Sequence, residues 1–172
     1  AHAAVRPIKN VFIWGRNFEK ATAIAAELQQ ENFAVHPIKT IEEKISDVDI
    51  ISCATLSKTP LVLGKYLKNG QHIDLVGAYK KDMREADDET ISKAAVYVDT
   101  FQGGIKESGD IVIPLQNGTL KEEDIKADLF ELASGEKQGR NNTNEITIFK
   151  SVGHALEDLT AATYYYNKFT HE

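Results

Sequence analysis

What most constrains the fold is a recurring alternation. Short apolar runs end in small or polar residues and are separated by stretches with helical signals. Residues 11–15 (VFIWG) and 48–54 (VDIISCA) are continuous apolar runs, as for strands buried on both faces. Residues 73–76 (IDLV) form a third such run, stopped by Gly77. Residues 33–36, ended by Pro37, 95–99 (AVYVD) and 145–150 (EITIFK) complete the strand candidates. Between them, Asn17 suits a helix N-cap before Ala21, Ile24, Ala25 and Leu28, which share one helical face. Thr40 and Glu43 have the spacing of a capping box. An acid-led helix is expected over 87–94, and residues 102–110 read as a loop or short helix. A helix is expected over 121–133, with Ile125, Leu129 and Leu132 aligned and Gly135 as its stop. A long final helix is expected over 151–168. Repeated alternation of this kind selects an α/β fold with a doubly wound, mostly parallel sheet, taken here as one domain over 1–172.

Composition narrows the partners. The net charge is −6 and the longest basic run is Lys80-Lys81, which argues against nucleic acid or an anionic membrane surface. No apolar stretch reaches the roughly 20 residues of a membrane helix. Cys53 is the single cysteine, which excludes an internal disulfide framework and fits a reducing cytosol, so a cytoplasmic location is expected. The five histidines, at 2, 36, 72, 154 and 171, lack metal-ligand spacing, and no metal site is expected.

In an open α/β sheet, ligands bind beyond the carboxyl ends of the strands. Here those ends are Gly15-Arg16-Asn17, Ala54-Thr55-Leu56-Ser57, Val76-Gly77-Ala78, Asp99-Thr100 and Lys150-Ser151-Val152-Gly153. Small residues there let a flat ligand approach the backbone. Arg16 stands where a dinucleotide-binding fold places an acid for NAD or an arginine for the 2′-phosphate of NADP. The bland alternative is a solvated charge at Arg16 beside a capping Asn17. No G-x-G-x-x-G fingerprint precedes the first run, and Gly103-Gly104 does not replace it. Cys53 sits inside an apolar run and reads as a core thiol. Glu107 and Asp110 read either as a general acid or substrate clamp or as solvated loop carboxylates. Tyr164, Tyr165 and Tyr166 cover nearly every side of a helix and suggest a partner surface.

Taken in order, VFIWGRNFEKA, ISCATLSKTPLV, QHIDLVGAYKKDMREADD, YVDT…IKESGD, DLFELASGEKQGR and EITIFKSVGHALEDL resemble the C-terminal part of the ornithine cyclodeaminase/mu-crystallin family. The resemblance covers essentially the whole chain. It implies a Rossmann-type NAD(P)-binding domain, normally preceded by a substrate and dimerisation domain and by the first strand with its glycine loop. The expectation is therefore a fragment with a gap in its sheet and no independent reductase activity, belonging to a homodimer in full-length form. The resemblance assigns Gly15, Arg16 and Asn17 to the adenosine ribose and 2′-phosphate. It places Ala54, Thr55 and Leu56 under the middle of the cofactor, and Val76 and Gly77 against nicotinamide. Glu107 and Ser151 line the substrate and nicotinamide pocket. Cyclodeaminases carry a catalytic aspartate two positions after the strand's glycine, where this chain has Tyr79. A phenol with a pKa near 10 is a poor proton acceptor at neutral pH. The resemblance thus favours reduction of a cyclic imino acid, Δ1-pyrroline-2-carboxylate or its six-membered analogue Δ1-piperideine-2-carboxylate, with NADP(H) preferred and NAD(H) accepted. Cyclodeamination, alanine dehydrogenation and non-catalytic binding of a small ligand remain the alternatives.

Overall fold

In the computed structural model, residues 2–29 and 33–170 are described. The chain divides into two compact units, Ala1–Val48 and Asp49–Glu172.

The first unit contains helix α1 (His2–Val5), strand β1 (Asn10–Ile13), helix α2 (Phe18–Glu27) and strand β2 (Ala34–Pro37). β1 and β2 pair in parallel, with Val11 opposite Val35. Ala21 and Ala25 of α2 are buried, as is Val35 of β2. Their four-residue spacing on the helix is what lets one stripe face the strands. Asn17 caps α2 by accepting from the Lys20 N–H at 2.9 Å. The Glu43 carboxylate accepts from the Thr40 N–H at 2.9 Å, which closes the expected box around a single 3-10 turn at Ile41–Glu43.

The second unit is built on a five-stranded sheet in the order β3-β4-β7-β5-β6, parallel throughout. Its strands are β3 (Ile50–Cys53), β4 (His72–Leu75), β5 (Ala94–Val98), β6 (Ala127–Asp128) and β7 (Ile146–Lys150). The last strand in sequence therefore enters the middle of the sheet. Its burial explains the composition of EITIFK: Ile146, Thr147, Ile148 and Lys150 are all buried. On one face the core stacks Ile73 and Leu75 of β4 with Ile148, Val96 and Val98. On the other, Ala95, Tyr97 and Ala127 pack with Leu132 and Phe149. β3, at the sheet edge, is only half-buried, unlike the fully buried strand its apolar sequence predicts. An edge position explains the difference, because only one neighbouring strand covers it.

Three helical segments depart from the sequence reading. Residues 101–117 form two helices, α4 (Phe101–Glu107) and α5 (Gly109–Asn117), split at Ser108. Ser108 ends the first and caps the second, its Oγ accepting from the Asp110 N–H at 3.2 Å. The expected helix over 121–133 is broken into a 3-10 turn, β6 and α6 (Leu129–Ser134). Ile125 and Ala127 are buried at a spacing of two, and the Lys126 N–H donates to the Val96 carbonyl at 2.8 Å, so a strand period won there. Asp128 and Glu131 then form the capping box that starts α6, which Gly135 ends at φ 78°. The final helix, α7 (Ala155–Thr170), begins four residues later than expected, after Gly153 at φ 87°. A short helix α3 (Asp88–Lys93) carries Asp87 as its cap. Among the described residues, no helix is long and apolar enough to cross a membrane.

Candidate functional site

The register aligns Cys53, Leu75, Lys150, Val98 and Asp128 as one row across all five strands. Because the strands are parallel, the chain beyond this row emerges along a single edge at Ala54, Val76, Ser151, Asp99 and Leu129. The convergence expected from the strand ends is thus present within the second unit. Gly15, Arg16 and Asn17 belong to the first unit, just beyond β1. Arg16 is exposed there, and Asn17 serves as the α2 cap.

The β3 and β4 ends are joined by backbone. The Val76 N–H donates to Cys53 at 2.8 Å, and the Ala78 N–H donates to Thr55 at 3.0 Å. Gly77 is required by this junction: a Cβ there would overlap the Thr55 backbone and the Glu85 carboxylate. Its glycine is explained by the packing of two loops. Outward from this junction Leu56, Val76 and Tyr79 are exposed at 63%, 48% and 47%, alongside the exposed Lys58 and Lys80. Leu56, Val76 and Tyr79 follow the ends of two adjoining strands, and exposed apolar side chains are the kind of lining that a heteroaromatic ring such as nicotinamide takes. Ala54 is exposed beside them. Lys80 lies 5.6 Å from the Tyr79 ring centroid.

Beneath this edge lies a charge cluster that the sequence reading did not assemble. Lys150, Glu85 and Asp110 are each fully buried. The Lys150 ammonium donates to the Gly77 carbonyl and pairs with Asp110 Oδ2 at 3.4 Å. Asp110 Oδ1 accepts from the N–H groups of Glu85 and Ala86 at 2.7 and 3.0 Å. Glu85 Oε1 accepts from the Thr55 N–H at 2.6 Å. Glu85 Oε2 and Asp110 Oδ2 find no hydrogen-bond partner among the described residues. Burial raises both carboxyls above their ordinary range, against the opposing pull of these N–H donors and Lys150. Of the two, only Asp110 was a sequence candidate, and its alternative as a solvated loop carboxylate is corrected: it is buried at the start of α5. One signal could have found Lys150. It ends an apolar strand in phase with buried Ile146 and Ile148, where a cation needs a partner.

Asp99 organises the neighbouring strand ends. Its Oδ2 accepts from the Val152 and Gly153 N–H groups at 2.7 and 2.8 Å and from the Ser151 hydroxyl at 3.3 Å. Its Oδ1 accepts from the Thr100 N–H at 2.6 Å. Ser151, half-buried, is therefore held by the carboxylate just beyond β5 and, through its N–H at 3.0 Å, by the Leu75 carbonyl of β4. Glu107 is exposed at the end of α4, one residue before Ser108. Cys53 is half-buried, and burial followed by the nearby carboxylates pushes its thiol up to about 12, so it is no nucleophile at neutral pH.

A parallel sheet whose strand ends emerge along one edge defines a Rossmann-type α/β protein. The comparison with known families specifies it further. The chain belongs to the ornithine cyclodeaminase/mu-crystallin family, whose model matches residues 1–172. A Δ1-pyrroline-2-carboxylate reductase of Bacillus cereus is 38% identical over 167 residues, covering 96% of this chain and 51% of that protein. The solved Δ1-pyrroline-2-carboxylate reductase of Thermococcus litoralis, in complex with NADH and L-proline, superposes with a TM-score of 0.92 at 37% identity. That match covers 98% of this chain and 53% of the other. An archaeal alanine dehydrogenase dimer with bound NAD superposes at 0.86 with 28% identity, over 94% and 49% of the two chains. The chain thus spans about half the length of these relatives.

Proposed function

We propose that residues 1–172 act as the NAD(P)-binding Rossmann-type domain of a reductase of cyclic imino acids, Δ1-pyrroline-2-carboxylate or its six-membered analogue. The observation that carries this reading is the apolar edge at Leu56, Val76 and Tyr79 beside Ser151, on a chain similar to reductases of that substrate. The bound nicotinamide would supply the hydride that reduces the C=N bond. This chain's part is to bind and orient. Ala54, Thr55 and Leu56 would lie under the cofactor's middle, Val76 and Gly77 along the nicotinamide, and Ser151 and Glu107 on the substrate side. Gly15, Arg16 and Asn17 would hold the adenosine end, with the exposed Arg16 guanidinium free to take a 2′-phosphate and so favour NADP(H) over NAD(H). Tyr79, where a cyclodeaminase would need a carboxylate, disfavours ammonia release. The complete protein would act as a homodimer in a reducing cytosol, a setting in which the free Cys53 is stable.

The test uses the complete protein with NADPH or NADH and each cyclic imine. Cofactor oxidation that depends on the imine supports the reading. Ammonia released from ornithine with catalytic NAD would establish cyclodeamination instead, and binding without turnover would establish a non-catalytic small-ligand protein. For the adenosine end, Arg16→Ala is expected to weaken NADPH binding by about tenfold or more while leaving NADH binding within about twofold. Equal losses for both cofactors refute the phosphate role.

A further inference from the structure

The peptide that follows β4 is held in an unusual conformation by atoms outside its own strand. Ala78 has φ 47°, the one described non-glycine residue in the left-handed region, and it is fully buried. An alanine there carries a steric cost that a glycine would not, and it persists only where the surroundings impose it. The surroundings are identifiable. The carbonyl before Ala78, that of Gly77, accepts from the Lys150 ammonium. The carbonyl of Ala78 itself accepts from the Ser108 hydroxyl at 2.8 Å. Both carbonyls flanking the strained residue are therefore fixed by side chains, one from the central strand and one from the α4–α5 junction. Gly109 seals the arrangement, since its N–H donates to Lys80 at 3.0 Å and a Cβ on it would collide with the Met83 and Lys81 backbone.

The buried charges make sense in this setting. A lysine with no exposure is costly unless its charge is compensated, and well-packed apolar groups often serve stability as well or better. Here Asp110 pairs with Lys150, and Asp110 in turn holds the backbone of Glu85, whose side chain holds Thr55. The cluster thus links each segment that meets at the β3 and β4 ends. We propose that Lys150 and Ser108 are positioning residues that lock the Gly77–Ala78 segment, with Asp110 anchoring Lys150 and Glu85 holding the Thr55 backbone, so that Val76 and Tyr79 are presented in one fixed orientation at the ligand edge. The ligand side of this statement rests on the cofactor reading given above; the locking itself does not.

The experiment has two readouts on the complete protein, each taken well below the thermal midpoint of the variant measured. The first is amide hydrogen exchange across residues 76–80, which needs no cofactor. The second is the dissociation constant for NADH, from the fluorescence of the bound reduced nicotinamide, alongside imine-dependent kcat and KM. Ser108→Ala and Lys150→Met are expected to speed exchange over 76–80 by about tenfold or more, with the rest of the sheet little changed. They are expected to weaken NADH binding by about fivefold or more. Ala78→Gly removes the steric cost of the left-handed residue, so the effects of Ala78→Gly and Ser108→Ala are expected to be non-additive in a double-mutant cycle. Should Lys150→Met fail to fold, Ser108→Ala and the cycle decide. Unchanged exchange at 76–80, or an increase spread evenly over the sheet, overturns the proposal. Loop exchange that rises while NADH affinity and kcat/KM stay within about twofold overturns its functional half. If the wild-type protein binds no nicotinamide cofactor, the cofactor reading fails, and the exchange measurement still settles whether the lock exists.

Discussion

Glu85→Gln isolates the electrostatics of the buried cluster. The amide keeps the shape of the side chain and an oxygen that can accept from the Thr55 N–H, now made at 2.6 Å. What it removes is ionisation at a site with no exposure. Burial is the largest cause of the raised Glu85 carboxyl, the two hydrogen bonds from Thr55 oppose it, the Asp110 charge adds to it, and Lys150 opposes it. The sign of the pH effect follows. With its folded-state pKa above the unfolded one, Glu85 binds more protons in the folded chain than in the unfolded chain over the interval between the two values. Its contribution is therefore intact below roughly pH 4.3, the ordinary glutamate value, and is lost as pH rises through the folded pKa. One group changes stability by at most about 1.4 kcal/mol per pH unit. The wild-type protein should thus lose stability relative to Glu85→Gln with up to that slope above roughly pH 4.3, levelling once Glu85 is ionised in the fold. The new amide also places an N–H₂ where Oε2 has no partner, which adds a pH-independent offset. The slope of the difference is consequently the test, and not its absolute value. Urea midpoints from pH 4 to 9 measure it. Parallel curves, or a variant that loses ground as pH rises, would refute the reasoning.

Gly77→Ala should destabilise by about 3 kcal/mol or more, because its Cβ meets backbone at Thr55 and the Glu85 carboxylate rather than a movable side-chain end. A urea midpoint unchanged from wild type contradicts this. Asp99→Asn turns an oxygen that accepts two N–H groups into a donor or forces the amide to flip, and should cost about 2 kcal/mol. Its damage should localise, with faster amide exchange at residues 151–153 before the rest of β7; a uniform change across the sheet contradicts it. Cys53, with its thiol at about 12, should react with an aromatic disulfide at pH 8 only as fast as a thiolate fraction of about 10⁻⁴ allows, and should speed up greatly in urea. Rapid labelling of the folded protein contradicts that.

Much of the architecture was legible in the sequence because it depends on local pattern. Apolar runs closed by Gly77, Asp99 and Ser151 gave the parallel strands and the edge at which their ends meet. Asn17 and the Thr40–Glu43 pair marked caps through bonds spanning three residues, and the acidic start at 87 marked the helix that Asp87 caps. The pattern misled at 121–133, where apolar residues compatible with a helical face were in fact a two-residue strand followed by a new cap. A strand contact to Val96, some thirty residues away, decided that segment. Distance in sequence also hid the cluster. Lys150 lies 73 residues from Gly77, and Asp110 lies 25 from Glu85. No periodicity connects them, since each is placed by a different element. The sequence by itself determined the strands other than β6, their order along the chain and the small or polar character of their ends, because those follow from short-range sterics and burial. Only the tertiary structure decided that the last strand enters the middle of the sheet, and so that a lysine ending it is sealed against the Asp110 carboxylate. A buried charge is tolerable only where its partners come together, and that is a property of the packed chain alone.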